Sequence, residues 1–388
     1  MFRKIFIIIF IFIMSVGLVS SVVVLAPGFS SDPDFSFVAD PSPDLSDQDL
    51  FENDSSSDSD GSDLSSGLST HGDSSDHGAL HGRIIILDPG HGSDTTNTFQ
   101  GYNEQVVMLK LAHKIKPLLE ANGAFVHMTR KTYDGVTLAT RIALTNVWSL
   151  TVLRASMIDN AAEIENIDEN LSEVERLINI MLNIIIDPEE YSEIYFNTPF
   201  SPTAIIHPDL VKIFELQSNP VISDRFLFIS LHSNATGRPI NTGVHGADVY
   251  YASNTHYELS RYFTGYSHPE RSIAFGEILL DHIHDVGIQR RSVNRANFFV
   301  IREHNLPAVL VENGYHTNQR DRENLMDDEF LDKLAVAYLD AIKTYFADIP
   351  LPPIPSDPDV SYIFQDIFDF VNIRNFRVSL NRGPGIKP

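Results

Sequence analysis

Three short apolar runs in this chain each lead into a side chain that can bind a metal or move a proton. The runs are RIIILD, FLFISL and AVLVE, and they lead to His91, His232 and Glu312 respectively. Short apolar runs bounded by turn residues are typical of buried strands. Because ligands bind at the carboxyl ends of the strands in open α/β sheets, this pattern predicts that the three side chains meet at one edge of a sheet.

The stretch after the first run is typical of a helix that begins at about Glu104. Apolar residues recur there at helical spacing from Val107 to Leu118, and an Asn-Gly pair follows at the expected end. Pro117 lies inside this stretch, and we expect it to kink or break the helix because proline lacks the backbone N–H donor.

The rest of the domain alternates between the two kinds of element. Further helices are predicted over residues 138–147, 270–286 and 329–346, and further strands at AFVHMT (124–129), ADVYYA (247–252) and NFFVIR (297–302). Strands that alternate with helices predict an α/β fold, with a mostly parallel central sheet flanked by helices in a single catalytic domain.

Residues from about 150 to 223 do not alternate and are predicted to form a helical insertion. One apolar helix face runs from Leu171 to Ile185, and Asp187-Pro188 is expected to end that helix. Two interpretations stay open. The insertion is either a packed helical hairpin or, because it is amphipathic, rich in carboxylates and directly precedes the strand that leads to His232, an inhibitory segment.

The ends of the chain differ in composition from this domain, which is predicted to span residues 83–348. Arg3 and Lys4 precede an apolar run from Ile5 to Leu25, so residues 1–26 are predicted to be a signal peptide or membrane anchor. No clear cleavage site of small residues follows, which favours the anchor. Residues 27–82, rich in Ser and Asp, are expected to be a disordered linker, and residues 349–388 a proline-rich tail.

Charge and cysteine content narrow the function classes. The formal net charge is -24, which argues against nucleic acid as a partner. Between Phe29 and Gly82 there are 13 acidic residues and neither Lys nor Arg, so much of the imbalance lies in the linker. The chain has no cysteine, and any zinc site must therefore use His and carboxylate ligands.

These limits agree with a hydrolytic zinc site built from His91, Glu104 and His232. Three protein ligands leave a fourth position open for water or substrate, and Glu312 would serve as the base for that water. Asp88 is expected to orient His91 as a hydrogen-bond acceptor. Gly92 is expected to let the backbone pass close to the metal or substrate.

The convergence of these groups, rather than any single histidine, supports the prediction, since the chain has 15 histidines and most have no strand-end context. One further charged group is ambiguous. Arg302, at the end of NFFVIR, is expected either to meet a substrate carboxylate or to form a structural ion pair.

The region from Arg83 to about Phe346 resembles the zinc-dependent N-acetylmuramoyl-L-alanine amidases of the Amidase_3 type, which are bacterial cell-wall hydrolases. The matching segments are LDPGHGS, GYNE, GAFVHMTR, LATRIALTN, FISLHSNA, ADVYYA and LPAVLVENGYHTN. The resemblance implies cleavage of the amide bond between N-acetylmuramic acid and L-alanine in peptidoglycan. It assigns Zn²⁺ binding to His91, Glu104 and His232, and the catalytic carboxylate to Glu312.

The expected partners are peptidoglycan and, through the N-terminal segment, a membrane, with an unidentified activator protein as a further candidate. The expected location is extracytoplasmic, either secreted or membrane-anchored and facing the cell wall. Two alternatives stay open: a zinc amidase or deacetylase that acts on another polymer, and a wall-binding module without catalytic activity.

Overall fold

The computed structural model describes residues 78–93, 97–196, 206–237, 240–254 and 268–355, which all belong to one compact unit. The predicted signal peptide or anchor, nearly all of the predicted linker and most of the predicted tail lie outside the described residues. Within the ranges described, no helix has both the length and the apolar character needed to cross a bilayer.

The strands of the described residues follow the predicted order with two additions, a short hairpin and a polar edge strand, and with one predicted strand, NFFVIR, missing. They are β1 (Ile84–Pro89), β2 (Thr98–Phe99), β3 (Tyr102–Asn103), β4 (Phe125–Met128), β5 (Phe226–Asn234), β6 (Ala247–Tyr251), β7 (Arg290–Arg295) and β8 (Ala308–Tyr315).

The main sheet has the strand order β4-β1-β5-β8-β6-β7. Strands β4, β1, β5 and β8 are parallel to one another, whereas β6 is antiparallel to β8 and parallel to β7. The predicted mostly parallel sheet is confirmed. Because β1, β5 and β8 are adjacent and point the same way, their carboxyl ends lie side by side at one edge.

The helices of the described residues cover both faces of this sheet. They are α1 (Glu104–Ala121), α2 (Leu138–Asp159), α3 (Ile167–Ile186), α4 (Pro188–Tyr195), α5 (Pro208–Gln217), α6 (Pro220–Ser223), α7 (Pro269–Asp285), α8 (Phe299–Arg302), α9 (Gln319–Met326) and α10 (Asp328–Phe346).

The apolar core is divided in two by the sheet. Alternate residues of one strand point to opposite faces, so Ile84 and Ile86 join the core under α2, α3 and α5, while Ile85 and Leu87 join the core under α1, α7 and α10. This division explains why the central strands are apolar along their whole length, as strands covered on both faces must be.

The prediction of a strand at NFFVIR is wrong, because its last four residues form helix α8. Arg302 donates from Nη1 to the backbone carbonyl and the side-chain oxygen of Asn297, at 3.0 and 2.9 Å, which closes the segment on itself. Arg302 is also fully buried, with its Nε 2.9 Å from Oε1 of Glu303, so it forms a structural ion pair.

The strand that precedes this helix, β7, was missed because its residues are polar. It has the sequence RRSVNR and none of its residues is fully buried. Strand β7 lies at the end of the strand order and pairs only with β6, so it gives no apolar alternation from which a strand could be predicted.

Pro117 does not break α1, which runs from Glu104 to Ala121 without interruption. Proline at this position removes the hydrogen bond to the carbonyl of His113, four residues earlier. Both Pro117 and His113 are exposed. Because water can satisfy that carbonyl on the exposed side of the helix, the break that we expected is not enforced.

The described residues of the predicted insertion, 150–196 and 206–223, are mostly helical, as expected, but they do not begin at a helix boundary. Helix α2 continues from the predicted segment through to Asp159, and α3 packs against it. The buried side chains of α3, including Leu177, Met181 and Ile184, belong to the core on that face of the sheet. Asp187 ends α3 as predicted, and this burial is what the packed-hairpin interpretation requires.

Candidate metal centre

His91 lies on a tight turn two residues beyond the end of β1. Its φ of 58° falls in the left-handed region that a residue with a Cβ rarely adopts. The preceding glycine explains how close this turn comes to β5. A Cβ on Gly90 would lie 2.4 Å from Cε1 of His232, so only glycine lets the His232 ring rest against the turn.

Gly92, the other glycine of this turn, packs against a different part of the chain. A Cβ on Gly92 would meet the backbone of Gly135, at 2.5 Å from its Cα. Gly92 thus allows two backbone segments to pack closely, and its predicted approach to a metal or substrate stays a prediction.

Glu104 is brought to the same edge by the short β2-β3 hairpin. The two residues between these strands, Gln100 and Gly101, have φ values of 46° and 84°. Positive φ at both central residues is typical of two-residue hairpin turns. Asn103 then caps α1, since its side chain accepts a hydrogen bond of 3.3 Å from the backbone N–H of Val106. Glu104 is consequently the first residue of α1, and it is only 2% exposed.

The three predicted ligand residues lie together. The Glu104 carboxylate lies between two imidazoles, with Oε2 3.3 Å from Nε2 of His91 and Oε1 3.0 Å from Nδ1 of His232. One ligand atom from each residue can be chosen so that all lie within 4.8 Å of one another. Zinc bonds of about 2.0–2.2 Å in a tetrahedron place neighbouring ligand atoms roughly 3.3 Å apart, so the donor set and its spacing fit zinc.

A buried cluster of polar groups holds the Glu104 carboxylate through hydrogen bonds. The backbone N–H of Ser233 donates to Oε1 of Glu104 at 2.9 Å. The Ser233 hydroxyl accepts a hydrogen bond from Tyr102 at 2.8 Å and lies 3.1 Å from Nδ1 of His316. The rings of Tyr102 and His316 are stacked, with centroids 5.1 Å apart. These contacts restrict the orientation of the carboxylate.

The charge state of Glu104 follows from its neighbours. Burial by itself raises the pKa of a carboxyl group, but the imidazoles of His91 and His232 outweigh burial and hold the pKa of Glu104 well below its usual range. Glu104 is therefore ionised, as a metal ligand must be.

Glu312 lies beside this cluster on β8, where its register partners are His232 on β5 and Asp248 on β6. Burial raises its pKa well above the usual value, and the charges of Glu104 and Asp248 raise it further. Its Oε2 is shielded from solvent and has no hydrogen-bond partner among the described residues. A shielded carboxylate oxygen with raised proton affinity is suited to accept a proton.

Asp88 does not occupy the position that we expected. Its buried carboxylate accepts from Nη1 of Arg141 at 2.8 Å and from the hydroxyls of Ser230 and Thr129. Burial opposes its ionisation, but these three donors, Arg141 foremost, lower its pKa. Asp88 reaches His91 through Arg141, which donates to the His91 backbone carbonyl.

Sequence reasoning missed three other residues that contact this turn. Arg130 and Arg141 lie in the segments GAFVHMTR and LATRIALTN, which carried the resemblance but had been given no role of their own. The side-chain amide of Asn97 lies 2.8 Å from Nε2 of His91. Nothing in the sequence around Asn97 distinguishes it from an ordinary loop residue.

Comparison with known proteins gives one family match. The model of the family Amidase_3, described as N-acetylmuramoyl-L-alanine amidase, matches residues 85–153 and 217–344, just over half of the chain. The interval between the two matched stretches contains α3 and α4 and most of α5.

Individual relatives share either low sequence identity over much of the chain or higher identity over a short stretch. The amidase AmiC of Escherichia coli O6:H1 is 21% identical over 269 residues, which cover 68% of this chain and 53% of that protein. The chain therefore spans about half the length of this curated relative. Strong local identity occurs with the probable cell wall amidase LytH of Staphylococcus saprophyticus, at 44% over 66 residues, which cover 16% of this chain and 23% of that protein.

Among solved structures, the amidase AmiC2 of Nostoc punctiforme is similar, with 19% identity, a TM-score of 0.41, and coverage of 69% of this chain and 98% of that one. That TM-score is below 0.5, and the assignment rests on the family match. This match confirms the resemblance drawn from the motifs: the chain belongs to the N-acetylmuramoyl-L-alanine amidase family Amidase_3.

Proposed function

We propose that this chain is a zinc-dependent hydrolase that cleaves the amide bond between N-acetylmuramic acid and L-alanine in peptidoglycan. The observation that carries the proposal is the position of the Glu104 carboxylate between the imidazoles of His91 and His232, with ligand atoms of all three within 4.8 Å. Two imidazoles and one carboxylate are a ligand set of catalytic zinc sites, in which the fourth position is kept for water or substrate.

Each side chain then has a distinct role. A zinc ion held by His91, Glu104 and His232 would supply Lewis-acid activation of the attacking water and of the scissile carbonyl. Glu312 accepts the proton of that water and passes it to the leaving amine of L-alanine. Its raised pKa supports this role, because a carboxylate that binds a proton readily can carry it from one group to the other.

The predicted division of the chain into segments completes the proposal. Residues 1–26 direct or anchor the chain outside the cytoplasm, residues 27–82 act as a linker, and residues 83–348 form the catalytic domain that faces the cell wall. The substrate assignment is supported by the family match. An activator protein remains a prediction, and its identity is open.

Digestion of purified peptidoglycan by the full chain, followed by mass analysis of the released fragments, tests this function. We expect stem peptides with a free L-alanine amino group and glycan strands that keep their acetyl groups. Release of acetate would favour a deacetylase, and binding without cleavage would favour a wall-binding module. The variant Glu312→Gln is the control, because it should bind zinc but release no peptides.

A further inference from the structure

Two buried arginines hold the turn that carries His91. Arg141 donates from Nη1 to the carbonyl of Pro89 at 2.7 Å and from Nη2 to the carbonyl of His91. Arg130 donates from Nη2 to the carbonyl of Gly90 at 2.9 Å and from Nε to that of Pro89 at 3.3 Å. Three successive backbone carbonyls, those of residues 89, 90 and 91, are thus fixed by two guanidinium groups.

This turn needs such support because of its backbone conformation. His91 adopts the left-handed region, which a residue with a Cβ keeps only when its surroundings determine it. The hydrogen bond from Arg141 to the His91 carbonyl acts on the strained residue itself. The imidazole position therefore depends on the guanidinium position.

The guanidinium of Arg141 is itself held by other groups, and Arg141 is almost completely buried, at 2% exposure. Its Nη1 lies 2.8 Å from Oδ1 of Asp88, and its Nε donates to the carbonyl of Val136 at 3.0 Å. Asp88 is held in turn by the hydroxyls of Ser230 and Thr129. A buried guanidinium with these four hydrogen bonds cannot rotate without breaking several of them.

We propose that Arg141 is a positioning residue for metal binding: it holds His91 in the geometry that zinc requires, and Asp88 fixes the guanidinium for that purpose. This proposal rests on the proposed function, since it assumes that His91 is a zinc ligand. In other metal sites, residues that orient the metal ligands through hydrogen bonds contribute about 10-fold to 100-fold to metal affinity or activity.

The test is the zinc dissociation constant of the full chain and of its Arg141→Lys variant, measured by competition with a chromophoric chelator. Lysine keeps the charge beside Asp88 but lacks the planar fork that reaches two carbonyls at once. We expect zinc to bind about 10-fold to 100-fold more weakly to the variant.

Arg225→Lys is the matched control. Arg225 is equally buried, and it donates to the carbonyls of Gly82, Pro352 and Pro353 rather than to those of the His91 turn. Its replacement removes comparable hydrogen bonds beside the starts of β1 and β5, at the opposite end of these strands from the ligands. We expect this variant to lose thermal stability and keep its zinc affinity within about threefold, well inside the 10-fold minimum expected for Arg141→Lys.

The outcomes separate this inference from the proposed function. If the unaltered chain binds no zinc, both are wrong. If it binds zinc and Arg141→Lys binds equally well, or if both lysine variants weaken binding to the same extent, only the positioning role is wrong. Should Arg141→Lys not fold, Asp88→Asn decides in the same way, because it keeps the shape of the side chain and removes the charge that holds the guanidinium.

Discussion

His232 and Glu312 are register partners on the adjacent parallel strands β5 and β8. Side chains of register partners point to the same face of a sheet and are nearest neighbours across the strands. The predicted metal ligand and the predicted base are therefore held at a fixed separation by backbone hydrogen bonds rather than by a loop. The sheet itself thus determines the geometry between them.

The variant Glu312→Gln should retain zinc and lose activity. Glutamine has nearly the same shape but cannot accept the proton, and removal of a general base costs about 100-fold to 10,000-fold in rate. The measurement is the rate of peptide release from peptidoglycan together with the bound zinc per chain. Glu323→Gln, on the exposed surface of α9, is the matched control and should be fully active. Activity of Glu312→Gln within a few-fold of the original would exclude Glu312 as the base.

Zinc should stabilise the folded chain, and its removal by a chelator should reverse the effect. A ligand that binds only the folded state adds about 2.7 kcal/mol when it is present at 100 times its dissociation constant. The check is the unfolding temperature with and without zinc, for the original chain and for His91→Ala. An equal zinc-induced shift in both proteins would show that His91 is not a ligand.

Gly90→Ala should disturb the site while every predicted ligand and the predicted base keep their side chains. The added Cβ would lie 2.4 Å from the His232 ring, so the ring or the turn must move. A displacement of about 1 Å at a catalytic site can cost roughly 100-fold in rate, and we expect weaker zinc binding as well. Gly243→Ala is the control, because its Cβ would meet only a side-chain oxygen of Asn241 at 3.2 Å. Wild-type zinc affinity and rate in Gly90→Ala would contradict the close approach.

Acid should destabilise the fold partly through His304. This ring is buried and neutral: Nε2 lies 3.0 Å from the carbonyl of Val300, and Nδ1 accepts from the backbone N–H of Leu306 at 3.2 Å. Burial lowers its pKa from 6.5 to about 4, against the opposing hydrogen bond to Val300 and the charge of Asp88. Its contribution to stability is therefore present above pH 6.5 and is lost as the pH falls from there through about 4.

Urea unfolding between pH 7 and pH 4.5 measures this loss. A single histidine of this kind lowers the free energy of unfolding by about 1.4 kcal/mol per pH unit below pH 6.5. His127 and His268, whose pKa values burial lowers to about 3 and about 4, act in the same direction. We expect His304→Gln to reduce this slope by about 1.4 kcal/mol per pH unit, the contribution of one such histidine. An unaltered slope in His304→Gln would contradict the buried neutral ring.

Much of the sheet could be predicted because its central strands are buried on both faces. Such strands need apolar residues at every position, and the runs that lead to His91, His232 and Glu312 show this plainly. Parallel strands of one sheet also bring their carboxyl ends together, so the grouping of the predicted side chains followed from topology alone. Glu104 could be included because a predicted helix begins there.

The rest of the site depends on contacts that leave no local pattern. The roles of Arg130 and Arg141 are set by backbone carbonyls about 40 and 50 residues away in sequence, and no periodicity records such a contact. Asp88 was assigned to the wrong partner for the same reason. NFFVIR has the composition of a strand, but Arg302 hydrogen-bonds back to Asn297 within the same segment, and the segment ends in a helical turn against its strand preference.

Anomalous diffraction at the zinc edge, from crystals of the chain grown with zinc, tests the metal centre most directly. We expect one zinc ion per chain, with bonds of about 2.0–2.2 Å to a ring nitrogen of His91, a ring nitrogen of His232 and a carboxylate oxygen of Glu104. A zinc ion bound elsewhere, or no anomalous peak among these three residues at saturating zinc, would contradict the proposed site.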